Sequence, residues 1–118
     1  MARRKQYIIA DPSALPASAA QPAIVADGNY PATPGYIDFE GGIAAVFVAF
    51  TAGTGTAKLQ IQCPDGVTWV DVGATTSFTV SGTAGFTAPA GRLRLNVAGS
   101  AGASIKSWVV SIPTNNGG

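Results

Sequence analysis

Histidine is absent from all 118 residues. With it go the commonest acid/base side chain, the commonest metal ligand and the base of a Ser or Cys triad. A single cysteine, Cys63, rules out an internal disulfide and fits synthesis in a reducing cytoplasm. Charge is scarce too: Asp, Glu, Lys and Arg make up 11% of the chain, against roughly 25% in ordinary soluble domains. The formal net charge of +1 does little to keep copies of a free monomer apart. Also missing is any apolar run of about 18 residues, so no membrane span is expected. The opening Met-Ala-Arg-Arg-Lys-Gln-Tyr-Ile-Ile looks like the basic front of a signal peptide. Asp11-Pro12 ends that apolar run short of the roughly 7 to 15 residues a signal core needs, and export by this route is not expected.

What is present is a chain long enough for one domain and one core. Its hydrophobic class holds 47% of the residues. With so few charges, the surface must be covered by Gly, Ala, Ser, Thr and Asn, a composition that suits a protein living inside an assembly. The stretch KLQIQCPDGVTWVDV, Lys58 to Val72, organises the rest. Leu59, Ile61 and Cys63 alternate with Lys58, Gln60 and Gln62, the period of a strand with one buried face. Pro64, Asp65 and Gly66 supply the fixed φ, the side-chain bond to the backbone and the positive φ of a hairpin loop. Val67 to Val72 then runs back as a second strand. Cys63 lies on the apolar face, where it reads as a small buried hydrophobe.

Residues 1–34 differ in kind. Pro12, Pro16, Pro22, Pro31 and Pro34 break any helix, and the Ala-Ser filler between them has no strand period. An extended arm of this length is either disordered or laid on something, a neighbouring chain or its own body, and separate apolar pegs favour docking over free disorder. These are Tyr7, Ile8, Ile9, Leu15, Ile24, Val25 and Tyr30, and Arg3, Arg4 and Lys5 add positive charge at the front. All ten are candidate partner-binding residues. The body, residues 35–113, is expected to fold without the arm, and residues 114–118 form a frayed tail.

From Tyr36 the chain reads as strands and turns. Tyr36 to Phe39 is followed by Ile43 to Ala52, apolar on both faces and therefore central or covered by a partner. Gly53-Thr54-Gly55 reads as a turn into the hairpin. Thr76 to Ser81, Phe86 onward, Arg92 to Ala98 and Ser104 to Ile112 complete the set, with Gly99 to Gly102 as another turn. In the last strand Trp108, Val110 and Ile112 share one face, Ile105 and Val109 the other. About seven or eight short strands spaced roughly 8 to 12 residues apart, with no helical period, predict an all-β fold, an antiparallel β-sandwich of jelly-roll or Ig-like type with an extended N-terminal arm.

Candidate chemistry has simpler explanations. Asp38 and Glu40 share a strand face but read as an exposed polar end rather than an acid/base pair. Asp65 and Asp71 supply too few oxygens for calcium. GTAG at Gly82 to Gly85 and GSAG at Gly99 to Gly102 lack the helix and Lys of a phosphate loop. Arg92, Arg94, Lys58 and Lys106 are too dispersed for a nucleic-acid reader. No enzyme activity, cofactor or metal is expected.

The runs LQIQCPDGVTWVDVG and FTAPAGRLRLNVAGSAGASIKSWVVSI resemble small virion structural proteins of tailed bacteriophages, of the capsid decoration or cement type. The resemblance covers Thr56 to Ile112, with Cys63 where that group would carry Ser. It implies a non-enzymatic protein at the capsid surface of a virion, made in the host cytoplasm, that oligomerises as a dimer or trimer. It also implies the major capsid protein as partner, reached through the arm and an apolar rim. The alternative from another class is a head- or tail-fibre binding module that grips a host surface glycan through Trp69, Trp108 or Tyr36.

Overall fold

The computed structural model describes residues 5–14, 17–32, 35–73 and 76–112. Apart from one 3-10 turn at Ala17–Ala19, its regular elements are all β-strands. In chain order they are β1 Gln6–Ala10, β2 Gly28–Tyr30, β3 Ile37–Phe39, β4 Gly42–Gln62, β5 Trp69–Asp71, β6 Ser77–Phe78, β7 Gly82–Ala88 and β8 Gly91–Ser111. They form one eight-stranded sheet along the path β1-β8-β4-β5. β2 and β3 add to β8, and β6 and β7 to β4, with every pairing antiparallel. The all-β antiparallel fold expected from the strand pattern is the one observed.

The two central strands, β4 and β8, are 21 residues each, where the glycine punctuation predicts four shorter strands. The predicted turns at Gly53–Gly55 and Gly99–Gly102 lie opposite one another within a continuous ladder, Thr54 facing Ala101 and Thr56 facing Ala98. Register slips repeatedly between Phe50 and Thr56. Such bulges bend a strand without ending it. The slip moves the buried positions of β4 from Ala44, Val46 and Val48 to Ala57 and Leu59, an even-to-odd change of phase. Gly53 sits at φ +71°, and a Cβ there would collide with the carbonyl group of Gly102. The two backbones touch where the sheet turns its corner, which only glycine permits.

The shared bend divides the sheet into two halves. Half A contains β1, the end of β8, the start of β4 and β7. Half B contains β2, β3, the start of β8, the end of β4, β5 and β6. They close on a single core. Tyr7 of β1 meets Phe39 of β3 edge-on at 5.6 Å between ring centroids, and Phe39 meets Phe86 of β7 at 5.7 Å. Leu59, Leu93, Leu95, Ile105 and Val109 fill the space between and are wholly buried.

The 63–68 turn follows the sequence reading. Gly66 has φ +77°, and its N–H donates to the Cys63 carbonyl at 3.0 Å. Asp65 Oδ1 accepts from the N–H groups of Val67 and Thr68, both at 2.9 Å.

The N-terminal segment lies on the chain's own body, one of the two placements the sequence left open. β1 pairs with the end of β8, Gln6 facing Val110 and Ile8 facing Trp108, and β2 pairs with the start of β8. Tyr7, Ile9 and Ile24 are core residues. The described part of the arm is therefore tied to the sheet through β1, β2 and the Ile24–Ile105 bridge. The physical reason is proximity. An open edge on the same chain satisfies the backbone groups and apolar pegs of an extended segment without recruiting a second molecule.

Candidate functional site

The outer face of half A presents apolar side chains in neighbouring rows. Ile8, Trp108 and Phe47 face one another across β1, β8 and β4, and Gln6, Val110 and Ala45 form the next row. Ile112 extends the patch by donating its N–H to the Ile43 carbonyl at 2.9 Å. Strand alternation produces this surface: with Ala44, Val46, Ile105 and Val109 turned into the core, their neighbours must point out. Phe47 is 39%, Ile43 44% and Ile112 46% exposed. A shallow hollow of about 230 Å³ lies between Gln6, Phe47, Trp108 and Val110.

Trp108 is half-buried and held in place. Its Nε1–H donates to Asp11 Oδ2 at 3.1 Å. Asp11 in turn accepts from the Ser13 N–H at 3.1 Å and hydroxyl at 2.9 Å. Partial desolvation pushes the Asp11 carboxyl up, but the Ser13 and Trp108 bonds outweigh it and leave the group below its ordinary value. An ionised Asp11 thus anchors the indole within the apolar row.

The outer face of half B has the opposite character. The Arg94 guanidinium lies 4.2 Å from the Trp69 ring centroid, and that of Arg92 4.3 Å from Tyr36. Arg94 Nε donates to Gln60 Oε1 at 3.0 Å, and Gln60 Nε2 donates to Asp71 Oδ1 at 3.1 Å, a ladder across three strands. Arg92 pairs with Asp38 at 3.9 Å, and Asn96 donates to Asn29 at 2.8 Å. A cleft of about 620 Å³ opens at the end of this half, with Asp38, Gln62, Cys63 and Arg92 among its lining. These polar groups are engaged with one another, and a guanidinium already occupies a face of both aromatic rings. Asp38 pairs directly with Arg92, and Gln60 links Arg94 to Asp71.

The ten arm residues are dispersed. Arg3, Arg4 and Leu15 lie outside the described residues. Lys5 is exposed and pairs with Glu40, its ammonium 5.1 Å from the Tyr7 ring centroid. Tyr7, Ile9 and Ile24 are buried and cannot reach a partner. Tyr30 is half-buried and donates its hydroxyl to the Ala26 carbonyl at 2.7 Å. Val25 is 66% exposed. Among the described arm residues only Ile8 joins the apolar face. Sequence reasoning missed Phe47 and Ile43 as surface residues, because a strand apolar on both sides does not show which side is wet. The shared face of Trp108, Val110 and Ile112 was the one signal that pointed to it.

Among the described residues no group of three or more Cys, Asp or Glu could hold a metal ion. No protein family, curated protein or solved structure matches this chain.

Proposed function

We propose that this chain is a non-enzymatic virion structural protein of the capsid-decoration type, and that it docks on the major capsid protein through the outer face of half A. One observation carries the reading: the contiguous apolar rows of Ile8, Phe47, Trp108, Val110, Ile43 and Ile112 on a chain in which charged residues make up only 11%. Monomeric soluble proteins rarely leave such a patch uncovered, and patches of this kind mark interaction sites. Aromatic side chains held rigid before contact are the groups that dominate protein interfaces. Asp11 gives Trp108 that rigidity. The resemblance of Thr56 to Ile112 to phage virion proteins supplies the partner. The arm plays no stapling role in this reading, since Tyr7, Ile9 and Ile24 are spent on the chain's own core and Ile8 belongs to the docking face itself.

The glycan alternative loses its platforms: Trp69 and Tyr36 are stacked with arginine, and Trp108 sits within the apolar row. Co-sedimentation with undecorated heads of the encoding phage tests the proposal. Phe47→Asp should weaken binding at least tenfold, about 1.4 kcal/mol, while Arg92→Ala on half B leaves it unchanged. Binding that survives Phe47→Asp, or that depends on Arg92 instead, removes the proposal.

A further inference from the structure

The outer edge of half A is open at β7. Among the described residues β7 pairs only with β4, from Gly42 facing Ala88 to Val48 facing Gly82. Two bonds establish the alternation of β4. The Ile43 carbonyl accepts from Ile112 on the β8 side, and the Phe50 N–H donates to Ser81 on the β7 side. Odd residues of this part of β4 therefore address β8 and even residues address β7. By register, Gly82, Ala84, Phe86 and Ala88 bond to β4, and Thr83, Gly85 and Thr87 direct their N–H and C=O groups outward. All three of these residues are exposed.

Natural sheets blunt such edges with charge, proline, bulges or very short strands. The other edge strands here have these protections. β1 carries a register break between Ile8 and Ala10 and is headed by Lys5. β2, β3 and β5 are three residues long and β6 two, with Asp27 before β2, Asp38 in β3 and Asp71 in β5. β7 is seven residues long, without charge, proline or register break.

The sequence of β7 indicates what covers it. Thr83-Ala84-Gly85-Phe86-Thr87 is nearly symmetric about Gly85, so an antiparallel copy of the same strand matches it position for position. We infer that β7 is the edge through which two copies of this chain pair, with a two-fold axis at Gly85. Gly85 then faces Gly85 of the second copy, and each Thr83 faces Thr87 of the other. These three pairs exchange about six backbone hydrogen bonds. Cross-strand Thr pairs are favourable, and no like charges meet at the seam. Pairing β3 on itself about its central Asp38 would bring carboxylates together. The row Ile8, Trp108, Phe47, Thr83 continues across the seam into Thr87 and Ile43 of the second copy, joining the two apolar faces. A two-fold edge contact closes at two copies.

Sedimentation velocity on the full chain tests this without any capsid, so its outcome is separate from that of the docking experiment. The wild type should show a monomer–dimer equilibrium. T83K/T87K sets Lys against Lys at both outer pairs and should raise the dimer Kd at least tenfold, about 1.4 kcal/mol. T83K/T87E sets opposite charges at the same pairs and should restore dimerisation. Both threonines are exposed, and circular dichroism should show both variants folded. As a measurement free of substitutions, amide exchange at Thr83, Gly85 and Thr87 should slow as protein concentration rises. A monomer at all concentrations, a trimer, a dimer indifferent to T83K/T87K, a charge-swapped variant no better than T83K/T87K, or concentration-independent exchange at those amides overturns the inference.

Discussion

Ile24 and Ile105 exchange both backbone hydrogen bonds, Ile24 N–H to the Ile105 carbonyl at 2.9 Å and Ile105 N–H to the Ile24 carbonyl at 3.0 Å. Both side chains are wholly buried. A proline-rich segment with no strand period is thus tied at its middle to a central strand some eighty residues later in the chain, and its apolar pegs contribute to stability.

Removing those pegs should unfold the protein rather than free it of a tail. Ile9→Ala and Ile24→Ala should each cost about 2–5 kcal/mol, the range for truncating a fully buried aliphatic side chain. Val25→Ala, at an exposed position, should stay within about 0.5 kcal/mol. A chain beginning at Tyr36 should lose its cooperative urea transition. Retention of that transition at an unchanged midpoint would show that the N-terminal segment is dispensable.

The corner of the sheet makes a second comparison. Gly53 and Gly99 both adopt positive φ, +71° and +63°, but only at Gly53 does a Cβ meet backbone, whereas at Gly99 nothing lies within 4 Å. Gly99→Ala should therefore cost about 1–2 kcal/mol, the penalty for a left-handed L-residue. Gly53→Ala should cost about 3 kcal/mol or more, because the strands must also separate. Equal costs in urea denaturation would mean that the Gly53–Gly102 approach does not shape the bend.

Acid should act through turn carboxylates. Asp27 accepts from the Ser100 hydroxyl at 2.6 Å, the Ser100 N–H at 2.8 Å and the Gly99 N–H at 3.2 Å. The Ser100 hydroxyl above all holds Asp27 below its ordinary value, and the Thr68 hydroxyl does the same for Asp65. A carboxyl depressed in the folded state stabilises the fold above its unfolded pKa of about 3.9, and that stability is lost as pH falls through the folded value. With no histidine to titrate, the urea midpoint should be flat from about pH 5 to 7 and fall below about pH 4. The fall should be shallower in Asp27→Asn. An identical acid slope in that variant would remove Asp27 from the account.

How much of this was legible follows from what each signal depends on. The Asp65–Gly66 turn is local chemistry, readable from four residues. The all-β class follows from two-residue periodicity, equally local. The length of β4 and β8 was not readable, because Gly53-Thr54-Gly55 and Gly99-Ser100-Ala101-Gly102 look like turns until each is seen opposite the other. A bulge is a property of a strand pair. The same holds for the apolar face: Phe47 and Val46 are equally apolar, and only the packing of half B onto half A decides that Val46 is buried and Phe47 exposed.

The central claim, that the outer face of half A is the docking surface, is tested most directly by tryptophan fluorescence, since the two indoles report on opposite halves. In Trp69→Phe, Trp108 is the sole emitter, and in Trp108→Phe the emitter is Trp69 under Arg94. Titrating undecorated heads into Trp69→Phe should shift the emission to the blue and protect it from acrylamide, as partner surface excludes water from the Ile8–Trp108–Phe47 row. Trp108→Phe should show neither change. A Trp108 that stays as quenchable on heads as in solution, while Trp69 responds, would contradict the account.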